Sequence, residues 1–402
     1  MFFFEFMAIK SVLWDTKCVK MSIMNKFIMR GLVMVERNIG SLELTVDQMV
    51  RQLSKAYVSI INSNTAFRSF PSVMLWGPPG VGKSQGIRQV AKEIADKTGK
   101  KVEITDVRLL LFNPVDLRGI PTANEDKTLA VWLKPKIFQM DDSEDVINIL
   151  FLDEISAAPQ SVQAAAYQIT LDRTVGEHRL PENCIVIAAG NRVTDRSVAF
   201  TMPKALANRL CHIEIIGDSK SWHDWAVCSG VNSIVLGFLD YNQSMLMKID
   251  PMSDGLSFPT PRSWEMVSNI LNHVSENIME VYPLIAGCIG DAAAYELRTW
   301  SEVYSKIPKV ETVFNGTAEG VPARPEILFA LSSEITMHSR EHHTDEEIRN
   351  VIDYASQLPV EFRNRIFTDL LQIKGIHRLL SRIHTYDDWF LRSGRDWEDY
   401  GL

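Results

Sequence analysis

Five strand-length apolar runs alternate with helical segments between residues 72 and 216. Two of these runs, at 146–152 and 184–191, are almost unbroken, as expected of parallel strands that are buried on both faces. Strands that alternate with helices along a chain form a parallel sheet covered by those helices. The pattern predicts an α/β fold with a five-stranded parallel sheet, with strands at 72–76, 101–111, 146–152, 184–191 and 211–216.

Helical periodicity precedes the first strand and dominates the chain after residue 217. Thr45 and Gln48 match a capping box, which predicts a helix from there to about Asn62. A second helix is predicted at 83–97, and Gly99 stands where a helix C-cap glycine belongs. The clearest helical segments downstream are 234–247, 264–273, 292–304 and 346–358.

Residues 112–136 interrupt the α/β pattern with prolines, a glycine and charged positions. Proline inside a helix removes a hydrogen bond and clashes with the preceding turn, so an inserted loop or hairpin is predicted here. These changes of pattern divide the chain into an irregular leader (1–42), an α/β core (43–217), a helical segment (218–302) and a helical C-terminal extension (303–402).

The composition and charge of the chain limit the classes of partner and the cellular setting that are expected. The net charge of −8 over 402 residues gives no general attraction to nucleic acid or anionic membranes. The five cysteines are scattered without a C-x-x-C pair, which favours a reducing, cytoplasmic setting. Charged residues interrupt the apolar N-terminal 30 residues well short of the roughly 20 that a membrane span requires. No membrane association is expected.

A glycine-rich loop follows the first predicted strand of the sheet and opens the helix at 83–97. Gly77, Gly82, Lys83 and Ser84 satisfy the G-x-x-x-x-G-K-[ST] pattern, whose backbone N–H groups cradle nucleotide phosphates. Lys83 should reach the β and γ phosphates of ATP, and Ser84 should bind Mg²⁺. An ordinary turn is the alternative, but the strand before the match and the helix after it favour phosphate binding. The predicted phosphate-binding residues are Gly77, Pro78, Pro79, Gly80, Val81, Gly82, Lys83, Ser84 and Gln85.

Polar residues end or precede three later strands. Asp153 and Glu154 end the third strand, and ligands of open α/β sheets bind beyond the carboxyl ends of the strands. Asp153 is predicted to bind Mg²⁺, and Glu154 to orient the attacking water. Asn191 ends the fourth strand, where its amide is predicted to contact the γ-phosphate or the water. Arg209, just before the fifth strand, is either a surface charge or a group that stabilises transition-state charge in a neighbouring subunit.

Together these segments resemble the motifs of AAA+ ATPases of the MoxR family. The similar segments are 77–84 (Walker A), 150–154 (Walker B), 188–191 (sensor 1), 208–209 (arginine finger), 259–265 (sensor 2, with Arg262), 113–121 (helix-2 insert) and 163–181 (pre-sensor hairpin). The resemblance implies a hexameric ring with ATP between subunits, Arg209 acting in trans and Arg262 reporting the nucleotide to a helical lid at 218–302. It also implies chaperone-like work on a protein partner, often one with a von Willebrand factor A domain. The long tail is similar to larger MoxR-like forms.

Two other functions remain open. A nucleic-acid translocase on the same core would need basic or aromatic pore residues, and only Arg118, Lys127 and Arg173 are obvious candidates. A nucleotide-dependent scaffold would bind ATP with little turnover. Separately, the sequence H-x-x-x-H-H at 338–343 offers imidazoles for a metal, but its polar surroundings favour a solvated helix end.

Overall fold

The computed structural model describes residues 43–192, 202, 207–248, 255–341, 343–373, 375–395 and 397, so the predicted leader at 1–42 lies outside the described residues. The strands are β1 (Glu43–Thr45), β2 (Val73–Trp76), β3 (Lys101–Arg108), β4 (Ile120–Ala123), β5 (Ala130–Leu133), β6 (Val146–Asp153), β7 (Thr174–Val175), β8 (His178–Arg179), β9 (Cys184–Gly190) and β10 (Cys211–Ile216).

The α-helices are α1 (Val46–Asn62), α2 (Lys83–Thr98), α3 (Pro114–Arg118), α4 (Gln160–Asp172), α5 (Ser219–Ser229), α6 (Ser233–Tyr241), α7 (Pro261–His273), α8 (Ile278–Ile289), α9 (Asp291–Tyr304), α10 (Val310–Phe314), α11 (Pro325–His338), α12 (Asp345–Gln357), α13 (Val360–Leu370), α14 (His377–Leu380) and α15 (His384–Arg392). Short 3₁₀ turns lie at Phe67–Ser69, Leu109–Leu111, Lys136–Phe138 and Gln243–Met245. Within the described residues, no helix has the length and apolar character that crossing a membrane requires.

The main sheet is parallel throughout and has the strand order β1-β10-β2-β9-β6-β3. The predicted α/β fold is confirmed, and all five predicted strands are present. The predicted number of strands was wrong, because the sheet has six. β1 adds a sixth strand at the edge, where Glu43 pairs with Glu214 and Thr45 with Ile216. Three residues, the last of which is the N-cap of α1, are too few to show strand alternation, so the pattern could not reveal this strand.

Both faces of the central strands β2, β6 and β9 are buried, and successive residues point to opposite sides as strand geometry requires. Leu150 and Val186 pack with α4 on one face, whereas Ile149 and Ile187 pack with α1 and α2 on the other. This explains why the central strands are apolar at nearly every position.

The helix caps that the sequence predicts are present in the structure. Thr45 and Gln48 form the capping box of α1, and Gly99 ends α2 with a φ of 70°, which a glycine adopts without strain. The predicted hairpin in residues 112–136 is confirmed, because β4 and β5 pair antiparallel with Ile120 opposite Leu133. The helix predicted at 234–247 is shorter than expected, since α6 ends at Tyr241.

The helical half contains two apolar cores that meet at α11. One core is built mainly from α5–α9 and the other from α10–α15, while Ala330 and Leu331 of α11 are buried in the first and the second respectively. Phe329 packs against both cores. The division of this region at residue 302 remains a prediction.

A buried charged cluster also joins these helices. His223 of α5 lies 2.9 Å through Nδ1 from Asp240 of α6 and 2.9 Å through Nε2 from Asp369 of α13. Arg365 of α13 forms an ion pair with Asp240, and the Thr336 hydroxyl donates to Asp369 at 3.2 Å. Burial alone would lower the pKa of His223, but the charges of Asp369 and Asp240 outweigh it and raise the pKa to about 10. The cluster therefore holds two positive and two negative charges.

Changing Asp369 to Ala should destabilise the protein by about 3–5 kcal/mol, because it leaves two buried cations with one carboxylate. Chemical denaturation followed by circular dichroism measures this loss. A loss under about 1 kcal/mol, the usual value of a surface pair, would contradict a buried, paired cluster.

The same cluster predicts a pH dependence with a defined sign. The pKa of His223 is about 10 in the folded chain and 6.5 in the unfolded chain. Protonated His223 therefore stabilises the fold fully below pH 6.5, and this contribution is lost as the pH rises through about 10. The free energy of unfolding, measured at several pH values, should decline across this window in the wild type and in His384→Gln, an exposed control. The decline should be smaller in His223→Gln.

Candidate active site

A cavity of about 740 Å³ opens at the carboxyl ends of the central strands. Its walls include the glycine-rich loop after β2, the residues that follow β6 and β9, and the N-terminal turn of α7. Of the predicted site residues, it is lined by Pro79, Gly80, Val81, Gly82, Lys83, Ser84, Gln85, Asp153, Glu154, Asn191 and Arg262. The topology thus brings together residues that lie far apart in sequence, where open α/β sheets bind ligands.

Close backbone packing dictates the glycines of the loop. A Cβ on Gly77 would lie 2.5 Å from the carbonyl oxygen of Ile215, which would force the chain apart. Gly80 has a φ of 78°, and a Cβ there would lie 3.0 Å from the Thr260 hydroxyl. The loop therefore passes tightly between β10 and the start of α7, and only glycine fits at these positions.

The side chain of Lys83 forms hydrogen bonds with several other residues of the site. Its Nζ donates to the carbonyl oxygens of Gly77 at 2.5 Å and Pro78 at 3.1 Å, and to Oδ1 of Asn191 at 2.9 Å. The residue is only 8% exposed. Gly77 and Pro78, which do not line the cavity, thus contact the lysine through their carbonyls. A buried ammonium group at this point of the cavity favours an anion nearby.

Ser84 and Asp153 are in direct contact across the cavity floor. The Ser84 hydroxyl donates to Oδ2 of Asp153 at 3.0 Å, although the two residues are 69 positions apart. A hydroxyl and a carboxylate are hard oxygen donors of the kind that bind Mg²⁺, usually with water completing the coordination. The residues present therefore fit this ion.

Glu154 lies on the same edge in an unusual backbone conformation. Its φ is 57°, a left-handed value that costs energy for a residue with a side chain, and its N–H donates to Oδ1 of Asp153 at 2.9 Å. Strained residues cluster at functional sites because the surrounding structure must hold them there. Here the turn places the Glu154 side chain in the cavity beside Asp153.

Ser156 positions Asn191 and was missed in the sequence analysis. The backbone N–H of Asn191 donates to the Ser156 hydroxyl at 2.9 Å, and Ser156 is 2% exposed. A Cβ on Gly190 would lie 2.8 Å from the same hydroxyl, so a glycine is needed to let the two segments meet. In the sequence, the serine two residues after Glu154 is the feature that could have suggested this contact.

Further polar groups at this edge also escaped sequence reasoning. Arg108, at the end of β3, pairs in register with Asp153 and lines the cavity. Partial burial and the nearby Asp153 carboxylate raise the pKa of Asp106 on the same strand. Strand β3 was predicted, but alternation alone does not indicate which of its polar residues face a ligand.

Arg262 reaches the cavity from the helical region. It lies at the start of α7, whose N-cap Thr260 forms a capping box with Ser263 and packs against Gly80 of the loop. The helical segment at 218–302 therefore contacts the glycine-rich loop directly. Gln372, beyond α13, also lines the cavity, so the C-terminal extension contributes to its wall.

Arg209 stands apart from this group. It is exposed in the turn before β10 and does not line the cavity. Arg173 is also placed differently from the sequence expectation of a pore residue, because its guanidinium donates to the carbonyl oxygens of Cys184 at 2.6 Å and Phe67 at 3.1 Å. Its role in these contacts is structural.

Comparison with known proteins finds one family match within the α/β core and several similar solved structures. Three solved structures are similar to the chain: a RuvB mutant from Thermotoga maritima (12% identity, 72% of this chain and 84% of that chain covered, TM-score 0.32), a HORMA:CdnC:Trip13 complex from Escherichia coli (14%, 64% and 89%, 0.35) and ORC2 from Aeropyrum pernix (12%, 87% and 95%, 0.32). No curated protein matches the sequence. Residues 73–216 match the family described as ATPase family associated with various cellular activities (AAA). Within this range, the chain is similar to the AAA family of ATPases.

Proposed function

We propose that this protein is a MoxR-type AAA+ ATPase that hydrolyses ATP in a ring oligomer to remodel or activate a protein partner. The observation that carries the ATPase proposal is a pair of hydrogen bonds in one cavity, from Lys83 to Asn191 and from Ser84 to Asp153, with Glu154 and Arg262 on the cavity walls. A solvated strand end or an ordinary turn would not bring these groups together.

Each residue has a role in this proposal. The loop at 77–85 would hold the phosphates through its backbone N–H groups, and Lys83 would exchange its carbonyl partners for phosphate oxygens. Ser84 and Asp153 would hold Mg²⁺, which supplies charge neutralisation at the phosphate oxygens when bound. Glu154 would orient the attacking water and accept its proton, while Asn191 would contact the γ-phosphate or the water.

The assembly is proposed from the position of Arg209 and from the resemblance to MoxR proteins. Arg209 is exposed and lies outside its own cavity, as a residue acting on a neighbouring subunit would. A hexameric ring would place it there. The client is proposed to be a protein, such as one with a von Willebrand factor A domain. The structural use of Arg173 and the charge of −8 leave a nucleic-acid translocase with little support.

Changing Lys83 to Ala tests nucleotide binding. We expect ATP affinity, measured by isothermal titration calorimetry with Mg²⁺, to fall at least tenfold, since a charge-assisted contact is worth roughly 1.5–3 kcal/mol. Lys97→Ala is the matched control, because Lys97 lies on the same helix but pairs at the surface with Glu93. If both variants bind ATP like the wild type, the cavity is not the nucleotide site.

A further inference from the structure

Two histidines and a glutamate converge at the end of α11, away from the nucleotide cavity. The ligand atoms of His338, Glu341 and His343 all lie within 4.8 Å of one another. The polar sequence around these residues predicts a solvated helix end, but the His343 side chain is only 7% exposed and that of His338 24%. His342, also present in this segment, lies outside the described residues.

Packing fixes the two imidazoles beside each other. The ring of Phe314, which is 2% exposed, stacks on His343 at a centroid distance of 4.4 Å and meets His338 edge-on at 4.7 Å. The two imidazole centroids are 5.1 Å apart. Little rotamer entropy remains to be lost if these rings bind an ion together.

A hydrogen bond also determines which ring nitrogen of His343 can bind a metal ion. Its Nε2 lies 2.7 Å from the carbonyl oxygen of His338, and a carbonyl can only accept, so Nε2 carries the hydrogen. Nδ1 of the neutral ring then has an available lone pair. Metal-binding histidines generally use this arrangement, in which the second nitrogen donates to a carbonyl and orients the ring.

The electrostatic surroundings of these three side chains favour a bound cation. The site lies at the C-terminal end of α11, where the helix dipole contributes a partial negative charge. Glu347 adds a carboxylate oxygen 3.6 Å from Nδ1 of His343, and this carboxylate is held by the N–H of Thr344 at 2.7 Å. Within the part of the chain that the structure describes, no Lys or Arg forms an ion pair with Glu341 or Glu347.

We propose that His338, Glu341 and His343 bind a divalent transition-metal ion, with Zn²⁺ the best match, and so clamp α11 to the start of α12. Two imidazoles and one carboxylate suit Zn²⁺, whereas Mg²⁺ and Ca²⁺ need more oxygen ligands. Zinc bonds of about 2.1 Å need ligand atoms roughly 3.4 Å apart. Nδ1 of His338 and Oε2 of Glu341 are already 3.7 Å apart, and the Glu341 side chain is 67% exposed and free to close on the ion.

The clamp would act on a helix that both apolar cores of the helical half share. Ala330 and Leu331 of α11 are buried in different cores, and α12 contributes Ile348 and Val351 to the second. Fixing α11 to α12 would therefore strengthen the junction between these cores. Its role is structural, since none of the three proposed ligands lines the nucleotide cavity.

Calorimetric titration of the metal-stripped full-length protein with Zn²⁺ tests this proposal. The titration contains excess Mg²⁺ so that Zn²⁺ does not enter the proposed Mg²⁺ site at Ser84 and Asp153. We expect one Zn²⁺ per chain and a thermal unfolding temperature that rises on binding. Glu341→Gln, which changes an exposed side chain and should leave the fold intact, is expected to weaken Zn²⁺ binding at least tenfold, as is His338→Ala.

The matched control is His384→Ala, which removes an exposed histidine of α15 outside the cluster. It should retain wild-type affinity and stoichiometry. The proposal is overturned if no stoichiometric Zn²⁺ binding occurs, or if Glu341→Gln and His338→Ala bind Zn²⁺ as tightly as the wild type. It is also overturned if His384→Ala removes the binding.

Discussion

Changing Glu154 to Gln should leave ATP binding nearly unchanged and reduce phosphate release at least a hundredfold. A positioned general base contributes about 10²–10⁴ to a reaction, and the amide keeps the size of the side chain but cannot accept the proton. The substitution should preserve the turn, because the Asp153 carboxylate bonds the backbone N–H of residue 154 rather than its side chain. Steady-state phosphate release and calorimetric ATP binding measure the two effects separately.

Glu265→Gln is the matched control for this experiment. Glu265 also lines the cavity and is exposed on α7, but it is not adjacent to Asp153 in the sequence. It should retain most of the turnover. Normal hydrolysis by Glu154→Gln would remove the proposed catalytic role, and loss of turnover in both variants would show a general sensitivity of the cavity to charge.

Changing Arg209 to Ala should reduce turnover about a thousandfold while ATP affinity changes little. An arginine that stabilises transition-state charge from a neighbouring subunit is worth about 10³–10⁵ in rate. Affinity should persist because Arg209 does not line its own cavity. Arg68→Ala, an exposed arginine paired with Glu182, is the surface control and should be fully active.

Mixing two inactive variants distinguishes action in trans from action in cis. In a ring, a subunit carrying Arg209→Ala keeps Glu154, and a neighbour carrying Glu154→Gln keeps Arg209. Mixed assemblies should therefore regain part of the turnover at interfaces that combine the two intact residues. If mixing restores nothing although the subunits exchange, Arg209 does not act across an interface.

Local patterns predicted much of the fold because their causes are local. The apolar runs of β6 and β9 reflect burial on both faces, and the capping box of Thr45 and Gln48 is a contact within one turn. The glycine-rich loop stands out in the sequence because its glycines and lysine have the spacing that phosphate-binding loops require. Their placement beside Asp153 and Asn191 then follows from the parallel sheet.

What escaped prediction depends on distant parts of the chain. Ser156 is significant because it meets the backbone of Asn191, and Gln372 because the C-terminal extension folds back to the cavity. The burial of His343 arises from Phe314, 29 residues before it, which local polarity cannot reveal. Such roles become visible only when the packing of helices against each other is known.

Helix α5 places Trp222 and Trp225 on the wall of the cavity at the carboxyl ends of the strands. The emission of an indole ring depends on the water and charge around it, so a molecule that enters the cavity should change the natural fluorescence of the protein. The chain has nine tryptophans, and among the described residues these two are the ones that line the cavity. The intrinsic tryptophan fluorescence of the protein should therefore report in real time, without an added dye, whether the cavity is occupied.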